Sequence, residues 1–565
     1  MPYDLLIKGG RIYDGSGLPS FVGDVGVKDG RIVEIGRVKE SAKRIIDAVG
    51  LAVAPGFIDH HTHMDAQLFW DPYATSEPQH GITSIVTGNC GLTLAPVKPG
   101  DEDALVKNFV RVEAIPRSVL ERGVPWGWHT FGDYLDALEG KLGVNVGGLV
   151  GHIALRQYVM GERSVERRAT AEETGQMREL ARVSLQQGAV GLSINRNPRH
   201  LREDGKPVGS SVADDEEVTS LCAVIGELNA GVVQTILGPN RIDHFKIYDS
   251  LARLTGRPVI WQNLQHRWSQ PDFWRVQIDA VAAIFDAGFQ AYGLTHTVPV
   301  VRLFSLKNCQ VFDAFPTWKA LMFAPEAARK EAFREPETRR KLRADLADPR
   351  PTTFHRRWDI VRVEKVVKAE NQKYVGKTVE EMAAMRGQDP LDAFLDLSLE
   401  EDLETVFWNA NGSADPAAMA EILKSPYVLM GTSDAGAHVQ FGAEFGYTTT
   451  LLGLWVRERG LLSLEHAVHK LSFHIASIYD LEGRGLVRPG YAADIVVFDP
   501  KTVKACEPEW AQDYPGDMRR LVQRSEGVYY TIVNGRSIYE DGRLTGDLPG
   551  QVMRGAAWRA RHAAG

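Results

Sequence analysis

Cysteine is scarce in this 565-residue chain: Cys90, Cys222, Cys309 and Cys506 are scattered and form no close-spaced pair. That excludes a scaffold built on disulfides and fits a reducing, cytoplasmic setting with free thiols. No run of about 18 apolar residues occurs, so no membrane-spanning helix and no membrane partner is expected. The opening MPYDLLIKGGRIYDG lacks a basic segment leading into an apolar one, so no secretion signal is read there. An excess of positive charge is missing too. The net charge of -8 supports solubility and gives no reason to expect nucleic acid as a partner.

What the chain does contain is 44% hydrophobic and 24% charged residues, the balance of a soluble globular protein. Residues from about Tyr3 to Val53 read as short strands broken by Asp-Gly and Gly-Arg-Ile turns, and the same texture returns in RGLVRPGYAADIVVFDP and GVYYTIVNGRSIYEDGRL. The two ends are therefore expected to pair into one small β-domain. Between them, apolar strand candidates (GFIDHHTH, TSIVTGNCG, VNVGGLVGH, GAVGLSI, AGVVQTIL, RPVIWQNL, FQAYGLTH, YVLMGTSDAG) alternate with stretches of helical periodicity. Eight such strands suggest a (β/α)8 barrel, whose strand ends carry the chemistry. The connection from His296 to Asp434 is far too long for one barrel helix and holds charged helical runs. It reads either as a helical insertion over the barrel mouth or as a solvated excursion.

Three histidines fall within four residues in APGFIDHHTHMD. In a strand, positions i and i+2 share a face, so His61 and His63 point together while His60 points away. With 16 histidines in the chain, about half a His-x-His match is expected by chance, so the pair alone is weak evidence. Its position strengthens it. The pair ends an apolar strand and precedes Asp65, and two other strand ends carry potential ligands, Cys90 in TGNCG and Asp434 in GTSDAGAH. A barrel brings such ends to one face, where they can surround one ion.

These residues carry a resemblance. PGFIDHHTHMDAQ, HGITSIVTGNCGLTLAPV, VGHIALRQYVMGER, GAVGLSI, GTSDAGAH, the long LSLEHAVHKLSFHIASIYDLEGRGLVRPGYAADIVVFDP and TIVNG span nearly the whole chain in one order. The chain resembles the amidohydrolase superfamily and, within it, the N-acyl-D-amino-acid deacylase (D-aminoacylase-like) group. The resemblance implies a distorted (β/α)8 TIM barrel with a β-sandwich made from both termini, and zinc-dependent hydrolysis of an amide C–N bond. It divides the chain into residues 1–55 and 481–545 for the sandwich, 56–480 for the barrel with a helical insertion at about 300–425, and a tail at 546–565. It implies that His61, His63, Cys90 and Asp434 hold metal, with Asp434 also acting as general base and acid.

The departures from that family are on strands five and six, where the better-studied deacylases carry two further histidines. Here the stretches read VVQTIL and VIWQNL, with Gln234 or Thr235 and then Asn263 as replacements. Neutral amides are poor zinc ligands, so one tightly held Zn²⁺ is expected, with two as the alternative. The arginine of the strand-five motif is also missing, which unsettles the usual carboxylate-bearing substrate. His152, Asn263, His266 and His296 stand as candidates for lining the site, His152 also for oxyanion stabilisation. The expected partner is a small-molecule amide, with a homo-oligomer possible. Hydrolysis of a cyclic amide, urea or carbamate is the alternative chemistry, and a non-catalytic scaffold on the same fold the alternative class.

Overall fold

The computed structural model describes residues 2–238, 241–307, 309, 311–349, 354–440 and 442–563. The chain divides into two compact units, one of Met1–Leu264, Trp274–Thr297 and Ala420–Gly565, the other of Gln265–Phe273 and Val298–Met419.

The larger unit is organised around eight parallel strands: β1 (Phe57–Asp59), β2 (Ile82–Thr87), β3 (Asn145–Gly151), β4 (Gly191–Asn195), β5 (Val232–Ile236), β6 (Val259–Trp261), β7 (Ala291–Thr295) and β8 (Val428–Met430). Every residue of these strands is buried, as in a parallel sheet covered on both faces. They are hydrogen-bonded in chain order from β1 to β8. The two edges of the sheet meet just beyond β1 and β8, where Thr62 bridges Ala435 and the His63 N–H donates to the Ala435 carbonyl at 2.7 Å. The arrangement fits a (β/α)8 barrel. Ile58, Val86, Leu149, Val232, Ile260 and Leu429, from six of the strands, belong to one apolar cluster.

The helices between strands start and stop for local reasons. Ala171–Gln186 opens on a capping box in which the Thr170 side chain takes the Glu173 N–H and the Glu173 carboxylate takes the Thr170 N–H. It buries Met177, Ala181, Ser184 and Leu185, a stripe at helical spacing.

Strands from both termini form a single nine-stranded sheet, joined where Ala52–Pro55 runs antiparallel to Ile495–Phe498. Valine and isoleucine from both ends, among them Val25, Val27, Ile495, Val497 and Ile532, share its core. The C-terminal stretch expected as a tail is bound to the barrel: Gly550 and Val552 bridge Leu142 and Val146.

The smaller unit has its own core, with Phe312 stacked on Trp318 at 4.1 Å and Phe394 against Phe407 at 4.5 Å. The expected helical insertion is amended here. Val300–Phe304, Val361–Lys365 and Val406–Gly412 pair into an antiparallel three-stranded sheet beside the helices. The charged runs dominate the sequence pattern of this segment and hide its short β-branched stretches.

Candidate metal centre

Strand β1 ends at Asp59, yet side-chain alternation continues through the bridge at Thr62 and carries His61 and His63 to one side. His60 is turned elsewhere, with Nε2 3.1 Å from the Met430 carbonyl and its ring against Tyr479. His61 is pinned along its backbone: its N–H donates to Asp59 Oδ1 at 3.1 Å and its carbonyl accepts from Ser433 Oγ at 3.3 Å.

Cys90 is held by a loop that only its glycines permit. Gly88 has φ +78, and a Cβ there would sit 2.2 Å from the Leu149 carbonyl oxygen. Cys90 itself is left-handed at φ 54, a conformation that costs a non-glycine residue about 1–3 kcal/mol and persists where the surroundings impose it. Those surroundings are the middle residues of β4 and β5. The Cys90 N–H donates to Gln234 Oε1 at 3.0 Å and the Gly91 N–H to Ser193 Oγ at 3.1 Å. Asp434 follows β8, also left-handed at φ 47. The loop beyond it passes so close to His63 that a Cβ on Gly436 would lie 2.8 Å from the His63 carbonyl oxygen.

These pieces bring four donors together. His61 Nε2 lies 3.2 Å from Asp434 Oδ1, His63 Nε2 lies 3.9 Å from the same oxygen, and Cys90 Sγ lies 3.6 Å from His61 Nε2. A tetrahedral ion with bonds of about 2.0–2.3 Å separates its ligand atoms by about 3.3–3.8 Å, so the spacing suits one shared cation. Among the described residues, His61, His63 and Cys90 form the set of three mutually close donors.

The electrostatics call for positive charge. Burial, then the neighbouring His61, lowers His63 to about 3, leaving a neutral imidazole with its lone pair available. Burial alone would raise Asp434, but hydrogen bonding and charge from His61, then His63 and His438, hold it well below the usual carboxylate range. Burial raises the Cys90 thiol well above its ordinary value, and the negative charges of Glu113 and Asp434 push it further. A cation is what would reverse that and make a thiolate ligand.

Three contributors were not singled out from the sequence. Glu113, buried at the end of helix Glu102–Val112, places Oε1 3.5 Å from His63 Nδ1 and Oε2 3.8 Å from His438 Nε2. His438 takes φ 59, and its N–H donates to the Glu113 carbonyl at 2.7 Å. Gln262, one residue before Asn263, reaches Cys90, its Nε2 donating to Sγ at 3.2 Å. A lone glutamate in VEAIP carries no local signal, whereas His438 lay within the GTSDAGAH motif itself.

The remaining candidates fare differently. His152 opens the helix after β3, but its Nε2 is 2.7 Å from Glu217 Oε1, and Glu217 also pairs with buried Arg156. The ring expected to line the site is committed to a structural ion network. His296 is buried immediately after β7. His266 belongs to the smaller unit, its ring edge-on to Trp268 at 4.9 Å.

The Glu217 network carries a stability prediction. Burial would raise Glu217, but His152 and Arg156 outweigh it and bring it down to about 2. A depressed carboxylate contributes stability above its ordinary value near 4.5 and loses it as pH falls through the folded value. Burial lowers His152 as well, so protonating it also favours unfolding in acid. The stability gap between wild type and Glu217→Gln, on the order of 3 kcal/mol at neutral pH, should close between about pH 4.5 and 2 in denaturant titrations. A gap independent of pH would refute the assignment.

Comparison with known proteins places this geometry. A family model described as "Amidohydrolase family" matches residues 44–539. The D-aminoacylase of Alcaligenes xylosoxydans xylosoxydans is 28% identical over 563 residues, covering 98% of each chain. A solved D-aminoacylase structure, described for a binuclear metal centre, shares 26% identity with TM-score 0.67, covering 98% of this chain and 100% of its own. N-acyl-D-glutamate deacylase from Bordetella bronchiseptica, solved with zinc and a phosphonate inhibitor, shares 25% identity at TM-score 0.67 with the same coverage.

Proposed function

The chain belongs to the amidohydrolase family, and from that premise we propose that it is a zinc-dependent hydrolase of an amide C–N bond, of the N-acyl-D-amino-acid deacylase kind. The observation that carries this is the convergence of His61, His63 and Cys90 as mutually close donors, with Asp434 Oδ1 3.2 Å from His61 Nε2 and 3.9 Å from His63 Nε2. The set mixes imidazole, thiolate and carboxylate donors, which zinc accepts.

Zinc, when bound, supplies Lewis acidity and makes water acidic near neutral pH. The protein's own part is to orient and to move protons. Asp434 stays ionised at working pH, with Oδ1 directed at His61, and its carboxylate takes a proton from the attacking water. Water adds to the carbonyl carbon, the C–N bond breaks, and Asp434 passes the proton to the departing nitrogen. One acid and one amine result. His63 remains a neutral donor throughout.

The same reading takes one ion per chain, since Gln234 and Gln262, the side chains bonded to Cys90, are neutral amides and poor zinc ligands beside imidazole. It also takes a TIM barrel at 56–480, a β-sandwich from 1–55 and 481–545, and a cytoplasmic enzyme acting on a small molecule. No helix among the described residues is long and apolar enough to cross a membrane.

A panel of N-acyl-D-amino acids, their L-counterparts, aryl amides and cyclic ureas tests the reading. Turnover of acyl-D-amino acids that disappears with a chelator and returns with Zn²⁺ is expected. Chelator-resistant turnover, or none on any amide, would overturn it.

A further inference from the structure

Two side chains beside Cys90 are only half used. A backbone N–H can only donate, so the Cys90 N–H fixes the amide oxygen of Gln234 on its own side and leaves Gln234 Nε2 facing away as a donor. Gln262 is set the opposite way. Its Nε2 donates to Cys90 Sγ, which leaves Oε1 as an outward acceptor. Both side chains are buried, at 0% and 6% exposure. Neither Gln234 Nε2 nor Gln262 Oε1 has a hydrogen-bond partner among the described residues.

A buried donor and a buried acceptor left open beside one residue are costly unless something completes them. Both are anchored to Cys90, whose Sγ is 3.6 Å from His61 Nε2, so they lie at the edge of the donor cluster. Their senses are complementary to a secondary amide, which offers a carbonyl to a donor and an N–H to an acceptor. An ionised carboxylate offers no hydrogen for Gln262 Oε1, and a cation would meet the Gln234 N–H head-on.

We propose that Gln234 and Gln262 are further catalytic residues that grip the scissile amide itself, Gln234 Nε2 donating to the carbonyl oxygen and Gln262 Oε1 accepting from the N–H. This rests on the amide-hydrolase reading and deepens it to secondary amides. Gln234 is then a hydrogen-bond donor to the developing oxyanion, aimed before reaction begins. Gln262 distinguishes amides from esters, and secondary from tertiary amides, because only the secondary amide satisfies its oxygen.

The test uses the acyl-D-amino acid turned over fastest in the panel, its ester counterpart with oxygen in place of N–H, and its N-methyl counterpart. Gln234→Glu keeps an oxygen for the Cys90 N–H and exchanges the outward donor for a charged acceptor, so metal content is measured on the same sample. Its kcat per bound metal ion should fall about 10²- to 10³-fold on amide and ester alike. Gln262→Met should lower kcat/KM for the amide about 10-fold or more while sparing the ester, since the ester never made that bond. Wild type alone gives a reading independent of folding: the N-methyl amide should be turned over at least about 10²-fold more slowly than the parent. Equal turnover of the N-methyl amide, a Gln234→Glu enzyme with wild-type kcat, or an unchanged amide-to-ester ratio in Gln262→Met would overturn the pair's role while wild-type amidase activity stands. Absence of wild-type activity on every amide would instead overturn the hydrolase reading, and this proposal with it.

Discussion

Asp434→Asn should lower kcat about 10³-fold or more, at the upper end of what a positioned proton carrier contributes, while the protein stays folded. The substitution is nearly isosteric, so an oxygen can still face His61 Nε2, 3.2 Å from Oδ1 in the native chain. What it removes is charge and basicity. The native carboxyl sits well below its ordinary range because His61, His63 and His438 together outweigh burial. It is therefore ionised, the form that can take a proton. An asparagine amide cannot accept one. KM should change less than kcat, because the proton moves only in the reacting complex. Metal content measured on the same sample separates the two duties of Asp434: a variant that retains its ion but not its turnover has lost the proton carrier. Undiminished turnover in a metal-replete variant would remove Asp434 from the chemistry.

Cys90→Ala should weaken zinc affinity by roughly 10²-fold or more, with wild type holding close to one ion per chain after dialysis. The thiolate is the second anionic donor beside the Asp434 carboxylate. Without it, two imidazoles and one carboxylate remain. The loop around it is built for this position: Gly88 and Gly91 are left-handed, and Gln234, Ser193 and Gln262 all bond to the loop. An unchanged affinity in chelator competition would make Cys90 a packing residue. Two tightly held ions in wild type would show that the strand-five and strand-six glutamines tolerate a second cation.

Much of this centre was legible before the structure. The His-x-His pair reads from parity alone, because alternation along an extended chain is local and survives past the formal end of β1 at Asp59. Parity also separates His60, whose ring turns to Met430. Cys90 and Asp434 read from their positions at the ends of apolar stretches between glycines. What failed did so where the outcome depends on a distant partner. His152 stands at a strand end like a site residue, but Glu217, 65 positions later, claims it. Gln262, one position before Asn263, was not picked out because a predicted strand end is uncertain by a residue or two. Glu113 left no trace in the sequence, since its role exists only once helix Glu102–Val112 ends beside His63 and His438.

The sequence by itself determined the alternation of apolar strands and helices, the membership of the amidohydrolase family and the kinds of donor at each strand end, because periodicity, turn residues and motif spacing act over a few positions of chain. The tertiary structure decided which of those ends meet. Closure of the sheet between Thr62 and Ala435 brings β1 to the loop after β8, and parallel register sets Ser193 and Gln234 side by side under Cys90. Such contacts join residues hundreds of positions apart through hydrogen-bonded strands and buried packing, and no local pattern encodes their distance.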